Sequence, residues 1–165
     1  WHAMATTQSG QLYSWGCNRN AQCGLKPTKD PPTICSPQLV RFESVLTPKI
    51  EKIAAGRSHS VALDETGAVY CWGACQHGQC GVLSRRRGGV APPKHVEALA
   101  QVQIFDIAAG DSHTLALTGG GRVFGWGSGF EGQLGMGSII QMNPKPKLVG
   151  DLDFVAMEAG RDCQT

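Results

Sequence analysis

The sequence predicts an all-β protein of the β-propeller kind, with three four-stranded blades. Three observations carry that expectation. One pattern of residues occurs three times at a nearly constant period. Each copy holds four short extended runs separated by turn signals. No segment keeps a helical period long enough to compete, the nearest being the short stretch from His95 to Ala100.

The pattern is sharpest in the second copy, where Gly67-Ala68-Val69-Tyr70-Cys71-Trp72-Gly73 is followed by Gln79-Cys80-Gly81. The first copy has Gly10, Trp15 and Gln22 at the same internal spacings, and the third has Gly121, Trp126 and Gln133. The units run approximately 1–57, 58–111 and 112–165 and together make one domain, 1–165. Their order of elements is regular. Ser58 to Leu63 and Ala68 to Trp72 are joined by Asp64-Glu65-Thr66-Gly67, whose glycine can take a positive φ, so the pair reads as a hairpin. Gly10 and Gly121 stand in the same place in the other copies. Pro37, Pro93 and Pro146 each open a Pro-x-x-Val run suited to an edge strand, because proline has no amide hydrogen to give an inner neighbour. The runs Ile50 to Gly56, Ile104 to Gly110 and, more weakly, Phe154 to Gly160 end in small residues, as expected where sheets crowd together. A linear β-solenoid is the other architecture compatible with repeats, but its coils use fewer residues each.

Composition narrows the function classes. A chain with 41% hydrophobic and 17% charged residues is globular, and 22 glycines with 9 prolines fit many tight turns. A net charge of +2 is too small to imply a nucleic-acid or membrane partner through steering alone. No apolar run long enough to span a bilayer and no basic-then-apolar leader is found in the sequence; cysteines used as unpaired interior residues fit the intracellular placement, cytoplasmic or nuclear, that is expected. Seven cysteines are an odd number, and Cys23 and Cys80 stand where the third copy has Leu134; they read as small semi-apolar interior residues rather than a paired framework.

The motifs that invite chemistry each have a plainer reading. Trp15, Trp72 and Trp126 recur in every copy, which favours packing between blades over a ligand role. Gly127 to Gly132 matches G-x-G-x-x-G, yet Gln133 to Gly137 makes a poor helix start, so no nucleotide is expected. Cys71, Cys75, His77 and Cys80 could supply zinc ligands, but no C-x₂-C pair is present and no metal or other cofactor is expected. No nucleophile with its base and no paired carboxylates emerge, so the chain reads as a non-catalytic scaffold. His59 and His113 follow glycine turns and His2 stands at the same place in the first copy; all three are expected to bond nearby backbone groups within their own turns. The run Arg85-Arg86-Arg87 lies where the copies differ; it is either a solvated loop or a contact for an acidic partner or nucleic-acid backbone.

The repeated residues also carry a resemblance. Gly-x-Val-Tyr/Phe-x-Trp-Gly, then Gln-Leu-Gly, Pro-x-x-Val, Ile-Ala-Ala-Gly and Ser-His-Ser/Thr-x-Ala-Leu resemble the repeat of the regulator-of-chromosome-condensation family, across essentially the whole chain. The resemblance implies a seven-bladed propeller with one repeat per blade, so that the remaining blades are expected from the same longer chain. It implies a protein-interaction module working through rim loops, with guanine-nucleotide exchange on a Ran-like small GTPase as the alternative and chromatin or DNA-backbone contact as a lesser one. In the founding member, acidic and histidine residues of Gly-x-x-His loops face the GTPase. Asp111 and His113 match that pattern closely here, while Arg57 replaces the acid beside His59. Asp111, His113, Arg57, His59 and the Arg85 to Arg87 run are therefore the candidate partner-binding residues.

Overall fold

The computed structural model describes residues 1–27, 32–44, 46–84, 89–150 and 153–160. Among them there are eleven strands, one three-residue 3₁₀ turn at Glu97–Leu99 and no α-helix. β1 (His2–Thr6), β2 (Leu12–Cys17) and β3 (Thr33–Leu39) form one sheet. β4 (Ile50–Ala55), β5 (His59–Asp64), β6 (Val69–Gly73) and β7 (Val90–His95) form a second. β8 (Ile104–Ala109), β9 (His113–Thr118), β10 (Val123–Ser128) and β11 (Met142–Leu148) form a third. All pairings are antiparallel between consecutive strands, so each sheet is a meander. The small-residue strands β4 and β8 stand at one edge, and the proline-bearing strands β3, β7 and β11 at the other.

Local chemistry explains the hairpins. The residue ending β5, Asp64, accepts bonds at Oδ1 from the Thr66 and Ala68 amides at 2.9 and 3.0 Å. In the other sheets a threonine hydroxyl does the same work: Thr7 Oγ1 accepts from the Gln11 amide and Thr118 Oγ1 from the Arg122 amide, both at 3.1 Å. The glycine two residues before each second strand takes the positive φ the turn requires, 79°, 87° and 77° at Gly10, Gly67 and Gly121. Beside each tryptophan the ladder to the outer strand shifts register, at Ser14/Gly16, Cys71/Gly73 and Gly125/Gly127.

The core lies between sheets. Leu12 and Val40 of the first sheet pack with Ile50, Ala62 and Trp72 of the second. Val61, Cys71, Cys80 and Val96 of the second pack with Ile104, Ala116 and Trp126 of the third. Trp72 and Trp126 are wholly buried, each in the joint with the preceding sheet. Each indole Nε1 donates to a main-chain carbonyl there, Trp72 to Gln22 at 2.8 Å and Trp126 to Gln79 at 2.9 Å. Burying such a ring removes about 150–250 Å² from water, which at about 25 cal/mol per Å² amounts to several kcal/mol.

Two sequence expectations change. Phe154 to Gly160 forms no strand. The Phe154 amide still donates to Gly121 O at 2.9 Å, as Ile50 does to Gly10 O, so the segment follows the path of β4 and β8. Those strands are held by pairing with β5 and β9, and no strand among the described residues plays that part for Phe154 to Gly160.

The second change concerns cysteine. Cys75 and Cys80 form a disulfide, so Cys80, read as an unpaired interior residue, is paired. The first sheet shows what the bridge replaces. Asn18 stands at the position of Cys75, and its side chain clamps the same turn by accepting from the Cys23 amide at 3.0 Å and donating to Leu25 O at 3.0 Å. In the third sheet the equivalent Gly129 packs on Leu134, the counterpart of Cys80. One turn is thus closed by side-chain hydrogen bonds, by a covalent bridge or by apolar packing. Cys17, Cys23, Cys35 and Cys71 are free.

Truncating Trp72 to alanine is expected to cost about 3–5 kcal/mol in urea unfolding of the purified protein. Trp72→Phe, which keeps a ring and removes one donor from Gln22 O, is expected to cost about 1–2 kcal/mol beyond its lost volume. Cys75→Asn, which installs the clamp of the first turn, is expected to leave the fold intact and to abolish any response of the melting temperature to a thiol reductant.

Candidate partner-binding face

The β4–β5 and β8–β9 turns and the start of the β2–β3 connection emerge at the same end of the sheets and line a cleft of about 670 Å³. Gly56-Arg57-Ser58 and Gly110-Asp111 come from the two turns, and Arg19, Asn20 and Gln22 from the connection. Arg57 is exposed and Asp111 half-buried, so both predicted residues face the cleft. Arg85, Arg86 and Arg87 lie outside the described residues. Gly89 sits with its Cα against Asn20, so close that a Cβ there would be 1.9 Å from the Asn20 carbonyl.

The histidines are placed otherwise than expected. His59 is fully buried and His113 nearly so, at 0% and 5% exposure. His59 Nε2 lies 3.1 Å from Thr114 Oγ1 on the third sheet, and His2 Nε2 2.7 Å from Ser60 Oγ on the second. The expectation of bonds within their own turns is therefore corrected for these two rings: each reaches across a joint, because its strand runs beside the inner strand of the next sheet. The hydroxyls settle the tautomer. Ser60 donates to Gln22 O at 2.7 Å and Thr114 to Gln79 O at 2.8 Å, which uses their single protons. Each must then accept from the imidazole, so His2 and His59 carry hydrogen on Nε2. The turn glycines before His59 and His113 make room for those two rings: a Cβ on Gly56 would lie 2.3 Å from His59 Cε1, and one on Gly110 2.1 Å from His113 Cε1.

Burial holds His59 neutral, lowering its pKa to about 3, with repulsion from His113 and His2 adding to the effect. Burial likewise lowers His2 to about 4. Burial also raises the Cys23 thiol to about 11 and pushes Cys71 further up, so neither is a thiolate nucleophile at neutral pH. No group of three or more His, Cys, Asp or Glu among the described residues could hold a metal ion. Cys75 and Cys80, two of the four zinc candidates, are joined to each other. Gly127 to Gly132 closes as a turn, with Gly132 N donating to Gly129 O, rather than opening a helix. No helix among the described residues is long and apolar enough to cross a membrane.

Arg19 is the cleft residue that sequence reasoning passed over. Its signal was present: four residues past the tryptophan, the other copies have Gln76 and Phe130, so a cation there serves no repeated purpose.

Comparison with known proteins agrees with this architecture. The model of the "Regulator of chromosome condensation (RCC1) repeat" matches residues 9–63, 66–117 and 120–163. Over 147 residues the chain is 38% identical to human "Probable E3 ubiquitin-protein ligase HERC3", covering 88% of this chain and 13% of that protein. It is also 38% identical over 148 residues to the mitochondrial RCC1 domain-containing protein RUG3 of Arabidopsis thaliana, covering 87% of this chain and 31% of that one. Among solved structures, Prp20p of Saccharomyces cerevisiae superposes with a TM-score of 0.84 at 22% identity, over 97% of this chain and 40% of Prp20p. That structure was described together with the binding properties of Prp20p to Gsp1p and histones. The chain thus spans well under half the length of each.

The buried imidazole makes stability depend on pH. The unfolded state binds a proton near the ordinary value of 6.5, whereas folded His59 resists protonation down to about 3. Its contribution is intact above pH 6.5 and is lost as pH falls toward 3, at up to about 1.4 kcal/mol per pH unit. His59→Gln is expected to flatten that part of the slope in urea unfolding between these limits.

Proposed function

The chain belongs to the regulator-of-chromosome-condensation repeat family, and from that membership we propose that it is a non-catalytic protein-interaction module whose loop face binds a protein partner. The observation that supports the reading is a division of labour among residues. Those that repeat are taken up by joints and turns: the tryptophans, the glutamine carbonyls, the histidines and the turn glycines. Those that differ between copies and reach solvent, Arg19, Arg57 and Asp111, gather at one cleft. Loops that vary on a rigid scaffold are where binding specificity is ordinarily placed. In this reading His59 and His113 hold the loops from beneath, and Arg57 and Asp111 meet the partner. A cytoplasmic or nuclear placement belongs to the same proposal.

Guanine-nucleotide exchange on a Ran-like small GTPase is the second reading, favoured by Asp111 above His113 in the one loop that keeps the family's acid-and-histidine pattern. An exchange factor must hold the nucleotide-free GTPase better than the loaded one.

The interaction reading is tested by comparing proteins recovered with the full-length protein and with its Asp111→Arg, Arg57→Glu variant. Loss of defined partners on reversal, with unchanged thermal unfolding, is expected; an unchanged set would overturn the face as the binding surface. Exchange is tested with a Ran-like GTPase loaded with fluorescent nucleotide, and release at the intrinsic rate would exclude it.

A further inference from the structure

The cleft holds two guanidinium groups that the fold does not need. Arg19 lies just past β2 and Arg57 in the β4–β5 turn, so they belong to adjacent sheets and line one shared space. Both are exposed. Neither takes part in an ion pair among the described residues, although Lys49, Lys52 and Lys94 all do. The scaffold does not fix a positive charge at either place: the counterparts of Arg19 are Gln76 and Phe130, and those of Arg57 are Asp111 and Arg161. Two cations with no ion pair among the described residues, in a concave site with protein walls, concentrate a positive field toward whatever enters.

We infer that this cleft binds an acidic peptide segment of the protein partner, with Arg19 and Arg57 each taking a carboxylate. The inference rests on the loop face being the protein-binding surface and adds the chemistry of what it binds. A planar guanidinium matches a carboxylate through two parallel hydrogen bonds. Two such forks on separate loops favour a ligand with carboxylates spaced along a chain. Asn20 and Ser58, which line the same space, offer neutral donors between them. A volume of about 670 Å³ is ample for several side chains and far exceeds what a single small anion fills. Asp111 is the only carboxylate among the cleft's described residues, and it lies in the turn of the third sheet. The acidic run therefore lies over the first and second sheets, and the partner turns neutral or basic where it reaches Asp111.

The test uses the full-length protein and fluorescein-labelled hexaglutamate, read by fluorescence anisotropy, with hexalysine as the opposite-charge control. Hexaglutamate is expected to bind, more weakly as salt rises from about 0.05 to about 0.15 M, and hexalysine is not. Arg19→Ala and Arg57→Ala should each weaken binding about tenfold. Arg57→Lys, which keeps the charge and loses the fork, should recover only part of that loss. Arg122→Ala, in the turn at the opposite end of β9, should change nothing. Because Arg19 and Arg57 are exposed, unchanged thermal unfolding of the variants is expected and separates loss of a contact from loss of fold. Absence of hexaglutamate binding, or equal binding by the double alanine variant, would overturn the inference. Displacement by inorganic phosphate at the peptide's own concentration would also overturn it, in favour of a small-anion site. If partners depend on the Asp111→Arg, Arg57→Glu reversal while hexaglutamate does not bind, the protein-binding face stands and the acidic segment falls. If neither responds, both fall.

Discussion

The structure depends on two main-chain carbonyls. Gln22 O accepts from Ser60 Oγ and Trp72 Nε1, and Gln79 O accepts from Thr114 Oγ1 and Trp126 Nε1. Each carbonyl has two lone pairs, and both are filled by the following sheet. The glutamine side chain makes this geometry available. Its Oε1 accepts from the amide two residues back, Asn20 or His77, which closes the turn and fixes the direction of the carbonyl. The same residue therefore shapes its own loop with its side chain and binds its neighbour with its backbone. An imidazole completes the set by donating to the hydroxyl, so a continuous chain of hydrogen bonds crosses each joint, wholly buried at His59 and half-buried at His2.

That arrangement accounts for which residues repeat. Removing one partner from a buried network leaves the other unsatisfied, which is why indole, glutamine carbonyl, hydroxyl and histidine stand together at the two joints between the three sheets; in the first copy Ala3 stands where Ser60 and Thr114 supply the hydroxyl. Turn closure is less demanding. Asn18, the Cys75–Cys80 bridge and Gly129 against Leu134 solve the same problem by three chemistries, since any short link across the turn satisfies it. Charge on the loop face is freer still, and there the copies diverge to Arg19 and Arg57 on one side and Asp111 on the other.

Much of the fold was legible in the sequence. Hairpins at Asp64 to Gly67 and edge strands marked by proline follow from spacings within one copy, and the burial of Trp72 and Trp126 from their recurrence between copies. The candidate face was half legible. Arg57 and Asp111 stood out as breaks in the repeat; Arg19 breaks it too, but nothing in the spacing places residue 19 beside residue 57. The histidine contacts and the Cys75–Cys80 bridge are not legible, since the partners of His2 and His59 lie across a joint and the bridge takes the place that an asparagine clamp holds in the first copy.

The amino-acid sequence by itself determined the number of copies, the order of strands in each sheet and the residues that must be buried, because these are set by interactions over a few residues and by alternation along a strand. Only the tertiary structure decided which way the imidazoles point, which carbonyl each indole meets and which charges share a cleft. Those contacts depend on how one sheet is set against the next, and that relation arises from the packing of Leu12, Ile50 and Trp72, and of Val61, Ile104 and Trp126, into common cores. It has no signature in the period of a single repeat.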